Sequence, residues 1–160
     1  MEYYAVIYVS CRESSNLSRI TFFLDGETRP DFYDEVSENE HDMVDAFEDA
    51  LTPNSIRLPS DNELIAEFHP DDLKELEAVL KAVELLKPDK LLAFFADDEE
   101  TQHYYQFTDN RLQFIYSEIE FDDPEDNEKY NQNLTSAVAK KISNMEDKGE
   151  ALAYLASNLA

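Results

Sequence analysis

The amino-acid sequence predicts an α+β fold, with a mainly antiparallel sheet of about five strands packed against three to four helices in a single domain, 1–160. Three neighbouring patterns carry this prediction: a helical repeat over 70–87, an unbroken apolar run over 91–96 and a hairpin pattern over 103–117. A length of 160 residues suits one domain, and 42% apolar residues suffice for a hydrophobic core.

The 70–87 segment is predicted to be a helix that starts at Pro70 and ends before Pro88. Proline suits the first helical position because its missing N–H needs no partner there, and Asp71 and Asp72 would follow in the first turn. Apolar residues recur at helical spacing: Leu73, Leu76, Val79, Leu80, Val83 and Leu86. The 91–96 run has no alternation, which indicates a strand buried on both faces.

The 103–117 segment predicts a hairpin around Asp109 and Asn110. Both residue types tolerate the positive φ that a two-residue primed turn requires, and the turn then determines the register of the strands. That register pairs apolar with apolar and polar with polar residues: Phe107 with Leu112, Tyr105 with Phe114, and Gln106 with Gln113.

The first quarter of the chain predicts two strands and a loop. Residues 3–9 indicate a central strand, 10–17 a polar connection, and 19–24 a second strand. Residues 25–36 contain Gly26 and Pro30 and are predicted to form a loop.

A second helix is predicted over 37–51, because Ser37 and Glu40 have the spacing of a capping box. Residues 54–63 are predicted to be mostly loop. Residues 64–68 fit a short strand or a helical turn, and the pattern does not decide between them.

After the hairpin the sequence predicts an acidic extension over 118–123 and a third helix that starts at Asp123-Pro124. Its apolar stripe comprises Tyr130, Leu134, Ala137, Val138, Ile142 and Met145. Lys148-Gly149 resembles a helix stop. A last short helix over 150–159 would turn Leu152, Leu155 and Leu159 inward.

The formal charge of −24 is concentrated in two blocks. Residues 25–63 contain 13 acidic and 2 basic residues, and residues 97–128 contain 12 acidic and 1 basic. Such a balance makes nucleic acid and anionic membranes poor partners and favours a basic protein.

The predicted 37–51 helix shows the charge pattern most clearly. At about 100° per residue, four acidic residues fall in one stripe that no lysine or arginine interrupts: Glu38, Asp42, Asp45 and Asp49. The stripe fits a solvated helix face, and it also fits a docking surface for basic side chains that imitates a row of phosphates.

Two further sets are candidate partner-binding residues. Phe32 and Tyr33 lie within the first acidic block, as interface anchors do, although Phe32 also fits a loop packed on the core. Glu118, Glu120, Asp122 and Asp123 follow the hairpin, where acidic charge also discourages pairing between sheet edges.

No motif for catalysis, cofactors or metals stands out. The chain has two glycines, whereas phosphate-cradling loops need several. His41, His69 and His103 lack metal-site spacing, although a site near His103 and the 97–100 carboxylates stays open as an alternative. Arg12 is placed to lower the pKa of Cys11, but a single cysteine at a strand end is usually inert.

These observations favour a non-enzymatic binding protein, without cofactor or metal, that neutralises a basic partner such as a nuclease toxin or another nucleic-acid-binding protein. In composition the chain is similar to DNA-mimic inhibitors and nuclease immunity proteins. The alternatives are a small metal-dependent hydrolase with a His/carboxylate site and a structural adaptor. One cysteine and no apolar leader predict a cytoplasmic protein, as a monomer or dimer, without membrane or nucleic-acid partners.

Overall fold

The computed structural model describes residues 3–25, 51–96, 102–117 and 136–158. Within these ranges lie six strands and four helices. The strands are β1 (Tyr4–Ser10), β2 (Ser55–Ser60), β3 (Glu63–Phe68), β4 (Lys90–Ala96), β5 (Gln102–Thr108) and β6 (Arg111–Ser117). The helices are α1 (Ser14–Leu24), α2 (Leu73–Leu85), α3 (Ser136–Ser143) and α4 (Lys148–Asn158).

The six strands form one sheet in the order β2-β3-β1-β4-β5-β6, and every neighbouring pair is antiparallel. This arrangement confirms the predicted α+β class. It also confirms that the first strand is central, because β1 pairs with β3 on one side and with β4 on the other. The described ranges hold six sheet strands rather than about five, because β2 and the undecided 64–68 segment are strands and the predicted strand over 19–24 is not.

Helices cover both faces of the sheet, so the central strands are buried on both sides. One core contains residues from α1 and α2 together with Phe95, and the other contains residues from α4 together with Phe94. Side chains of successive strand residues point to opposite faces. The predicted double burial of 91–96 is therefore confirmed.

The predicted hairpin is confirmed in turn and register. Asp109 and Asn110 have φ values of 55° and 62°. Tyr105 pairs with Phe114, Gln106 with Gln113, and Phe107 with Leu112. A shift in register follows at Tyr104 and Tyr105, so the strands keep the predicted pairing only near the turn.

The prediction of a polar connection over 10–17 and a strand over 19–24 was wrong, because these residues form α1. Leu17, Ile20, Phe23 and Leu24 are buried at helical spacing against the sheet. The β-branched and aromatic residues favour a strand locally, but burial of a helical face decides the outcome.

The 54–63 segment was predicted to be mostly loop, and this was wrong because Ser55–Ser60 forms the edge strand β2. Its side chains are almost all exposed, so it lacks the apolar alternation that reveals a half-buried strand. The undecided 64–68 segment is strand β3, which lies between β2 and β1.

Two predicted helix boundaries were wrong. Helix α2 starts at Leu73 rather than Pro70, and Asp72 is its N-cap, with a side chain that accepts a hydrogen bond from the Glu75 N–H at 3.0 Å. Lys148-Gly149 does not stop a helix but begins α4. Asp147 precedes it and accepts from the Glu150 N–H at 3.1 Å.

The third and last predicted helices are described in part. α3 covers Ser136–Ser143, and Ile142 is buried as predicted, whereas the proposed start at Asp123-Pro124 lies outside the described ranges. In α4, Leu152 and Leu155 are buried as predicted.

Candidate functional site

The predicted partner-binding residues all lie outside the described part of the chain. These are Phe32, Tyr33, Glu38, Asp42, Asp45, Asp49, Glu118, Glu120, Asp122 and Asp123. The residues that flank their segments are described, so the structure shows where each acidic segment joins the sheet.

All three acidic segments join the sheet at one end. Residues 26–50 lead through 51–54 into β2, where the Asn54 N–H donates to the carbonyl of Glu67 at 2.7 Å. Residues 97–101 follow Ala96, which pairs with Tyr4. Residues 118–135 follow Ser117, which pairs with His103. We call this end, where β1 begins and β3, β4 and β6 end, the acidic end.

The charge of the chain is concentrated in the segments joined there. Residues 26–50, 97–101 and 118–135 hold 21 of the 37 acidic residues and 2 of the 13 basic ones. The described ranges hold 15 acidic and 11 basic residues, which leaves them close to neutral. The described part of the chain is thus a scaffold of nearly balanced charge, and the acidic excess lies in the three segments that join it.

A cleft lies at the opposite end of the sheet, where β1 ends and β4 begins. One cavity of about 560 Å³ is lined by Arg12, Glu13, Ser15, Asn16, Arg19, Lys87 and Asp89. A second, of about 520 Å³, is lined by Ser10, Cys11, Arg12, Ser60, Asn62, Glu63, Asp89 and Lys90. Arg12 and Asp89 line both cavities, so the two adjoin each other, and we call them together the cleft.

Hydrogen bonds join the segments that form the walls of the cleft. The Asp89 N–H donates to the carbonyl of Ser10 at 2.8 Å, and the Asp89 carboxylate accepts from the Arg12 N–H at 2.5 Å. The Asn62 amide donates to the carbonyls of Cys11 and Arg12 at 2.8 and 3.0 Å. These bonds connect the β1–α1, β2–β3 and α2–β4 connections.

Lys87 forms the corner of the cleft between α2 and β4. Its φ is 57°, a left-handed conformation that costs a lysine about 1–2 kcal/mol. Its carbonyl accepts a hydrogen bond from the Asn16 side-chain amide at 3.0 Å, which attaches this corner to α1. Its side chain is exposed at the mouth of the cavity.

The surroundings of Cys11 agree with an inert thiol rather than one activated by Arg12. Cys11 is buried, and this burial raises the pKa of its thiol rather than lowering it. The Arg12 side chain is 92% exposed, and its Nε lies 3.7 Å from an oxygen of Asp89. Cys11 is therefore a core thiol and not an activated nucleophile.

Sequence reasoning missed the cleft because its residues come from three separate segments. Arg12 precedes α1 and Arg19 lies within it, Asn62 lies in the β2–β3 turn, and Lys87 follows α2. The sequence predicts a connection and a strand for the β1–α1 segment, and these two elements would not bring Arg12, Asn16 and Arg19 to a common surface. The proline after Lys87 was a signal for a helix end but not for a cleft.

Three tyrosines on the sheet have altered acidity. Burial, followed by the nearby Glu67, raises the pKa of Tyr4 to about 12. Burial, followed by Glu77, raises the pKa of Tyr105 to about 12. Tyr8 is buried and donates a 2.6 Å hydrogen bond to Glu63, and both raise its pKa.

The free energy of unfolding is expected to fall as the pH rises through the range of about 10 to 12. The unfolded chain releases the tyrosine protons near pH 10.0, whereas the folded state retains them, so alkali favours unfolding. Urea denaturation across this range should show a shallower decline for Tyr8→Phe than for the wild type. Tyr154→Phe controls for the loss of one hydroxyl, and identical declines for Tyr8→Phe and the wild type would contradict the assignment.

The described residues contain neither a metal-binding cluster nor a membrane-spanning helix. No group of three or more His, Cys, Asp or Glu side chains within the described ranges is arranged to hold a metal ion. His41 and the 97–100 carboxylates proposed beside His103 lie outside those ranges. No described helix is long and apolar enough to cross a membrane.

Comparisons with protein families, with curated proteins and with solved structures find no match to this chain.

Proposed function

We propose that the protein is a non-enzymatic binding protein that docks its acidic end on a basic protein and neutralises it. The partner class is a nuclease or another protein that binds nucleic acid. The acidic segments, with Glu38, Asp42, Asp45 and Asp49 in one and Glu118, Glu120, Asp122 and Asp123 in another, would occupy the partner's nucleic-acid-binding surface.

The observation that carries this proposal is the attachment of all three acidic segments to one end of the sheet. The six strands at about 4.8 Å spacing make that end about 24 Å wide. DNA carries about 14 phosphate charges over the same length, at one per about 1.7 Å. The 21 acidic residues of the attached segments supply a comparable number of charges.

The near-neutral scaffold supports the same reading. A protein that used acidic residues only for solubility would gain as much by spreading them over every exposed surface. Here the described helices and strands carry 11 basic residues against 15 acidic ones, and the excess lies in segments that share one end. A field concentrated in this way accelerates encounter with an oppositely charged protein and orients it.

The test compares three charge-neutralised variants, in which Glu and Asp become Gln and Asn. The first variant changes Glu38, Asp42, Asp45 and Asp49, and the second changes Glu118, Glu120, Asp122 and Asp123. The matched control changes Asp61, Glu77, Glu146 and Glu150 on the scaffold. Each variant removes four charges, so all three have the same net charge.

Association with a basic nuclease is measured at two ionic strengths, with lysozyme as a basic protein that has no nucleic-acid site. We expect at least one segment variant to associate about tenfold more slowly and with a weaker salt dependence, because steering charge is lost. Added DNA should compete with the wild type. An equal loss in the scaffold control, equal binding to lysozyme, or no effect of the segment variants would overturn the proposal.

A further inference from the structure

We propose that the cleft opposite the acidic end is a binding site for the phosphate group of a small, hydroxyl-bearing phosphate ester. Arg12 and Lys87 line the first cavity and would bind the phosphate. The adjoining cavity would hold the uncharged remainder of the ligand. This inference is independent of the function proposed for the acidic end.

The basic side chains of the first cavity come from different segments and meet around one space. The Lys87 ammonium has no ion-pair partner among the described residues. Arg12 approaches Asp89 only through Nε at 3.7 Å, so its two terminal nitrogens remain available for a bidentate contact with phosphate oxygens. Lys90, by contrast, donates to the carbonyl of Ala156 at 2.7 Å and is already engaged.

The walls of the cleft are preorganised by hydrogen bonds in the protein without a ligand. Main-chain and amide hydrogen bonds hold the segments that carry Arg12 and Lys87 at fixed separation, through Asp89, Asn16 and Asn62. Preorganised walls reduce the ordering cost of binding. Only the long basic side chains would need to order around the phosphate.

The net charge of the chain does not exclude an anion from this end. Strand β1 has seven residues and separates the two ends by about 20 Å at about 3.3 Å per residue. The Debye length at physiological ionic strength is about 8 Å, so charges at the points where the acidic segments join the sheet are largely screened at the cleft. Within the first cavity, Arg12 and Lys87 carry the positive charges that a bound anion would meet.

The acidic residues limit which anion fits. Asp89 and Glu13 line the same cavity as the three basic residues, so a long polyanion such as nucleic acid would meet repulsion beside each contact. A single phosphate group needs only the terminal nitrogens of Arg12 and the ammonium of Lys87, so it meets fewer acidic neighbours than a polyanion would.

The second cavity determines the rest of the ligand. Each cavity falls within the range of about 300–1,000 Å³ that small-molecule sites occupy. Ser10, Ser60 and Asn62 line the second one, and both donor bonds of the Asn62 amide go to Cys11 and Arg12. The side-chain amide oxygen of Asn62 can accept a hydrogen bond from a ligand, and this favours a hydroxyl group.

The experiment is a titration of the whole chain, labelled with ¹⁵N, at constant ionic strength in sodium chloride. The probes are inorganic phosphate, glycerol 3-phosphate and succinate. We expect glycerol 3-phosphate to shift the amide signals of 12–16, Lys87, Asp89 and Lys90 in a saturable way. The Arg12→Gln/Lys87→Gln variant should bind at least tenfold more weakly, and the matched control Lys74→Gln/Lys81→Gln within twofold of the wild type.

Each outcome bears on the proposal. Tighter binding of glycerol 3-phosphate than of inorganic phosphate supports the two-part site, and equal affinity overturns the role of the second cavity. Equal binding of succinate overturns the choice of phosphate. Shifts spread over the whole chain, or unchanged affinity in the Arg12→Gln/Lys87→Gln variant with a wild-type melting curve, would overturn the site itself.

Discussion

Gly149→Val is expected to lower the free energy of unfolding by about 3 kcal/mol, because the position has no room for a side chain. A Cβ on Gly149 would overlap Ile65 Cγ2 and lie 2.7 Å from Arg57 Nη2 and 3.1 Å from Ile65 Cδ1. Gly149 is buried in the first turn of α4 and faces β3 there. Urea denaturation measures the loss.

The overlap with Ile65 can be separated from the effect of valine on the helix. Ser157→Val, at an exposed position of the same helix, should cost less than about 0.7 kcal/mol, which is the range of ordinary helix propensities. Gly149→Ala should cost about 1 kcal/mol more in the wild type than in an Ile65→Ala background, because residues in contact couple. Equal costs in both backgrounds would contradict the packing of α4 on β3.

Gly149 also shows why one helix boundary could not be read from the sequence. A glycine after a lysine matches the pattern of a helix stop, and glycine is common at that position because it adopts positive φ. In the fold the same glycine permits a close approach between a helix and the sheet. The atoms it approaches belong to residues 57 and 65, which are remote in sequence, so the local pattern holds no information about them.

The hairpin and the buried strand were predictable because their determinants are local. Asp109 and Asn110 set the turn, and the turn sets the register of the next few pairs. The helix α1 was not predictable in this way, because Arg19–Leu24 has the composition of a strand. Only the burial of Leu17, Ile20 and Phe23 on a common face favours the helix. Tertiary packing overrides propensity in such short segments.

The same difference between local and tertiary determinants applies to the two candidate sites. Charge segregation is visible in the sequence, since it needs only counting along the chain. The common attachment of the acidic segments depends on strand order, and the cleft depends on three connections that meet at one end of β1. Neither property is encoded within one stretch of residues.

Truncation of either phenylalanine at the centre of β4 is expected to lower the free energy of unfolding by a large amount. Phe94→Ala and Phe95→Ala are each expected to cost about 3–5 kcal/mol, because the side chains are 2% and 6% exposed and each truncation leaves a cavity. Phe94 packs against Tyr104, with ring centroids 5.0 Å apart, beneath the α4 layer. Phe95 stacks on Tyr3 at 5.1 Å in the opposite core.

Although these residues are adjacent in sequence, their effects should be independent, because the sheet separates the two cores. Leucine substitutions keep the protein folded enough to measure both. We expect the cost of Phe94→Leu/Phe95→Leu to equal the sum of the single costs within about 0.5 kcal/mol, as for sites without shared contacts. Phe94→Leu/Tyr104→Leu is the matched pair within one core and should deviate from additivity by more than that.

A small cost for Phe94→Ala alone would mean that α4 does not cover this face. Strong coupling between Phe94 and Phe95 would mean that the two layers of helices form one core around the sheet.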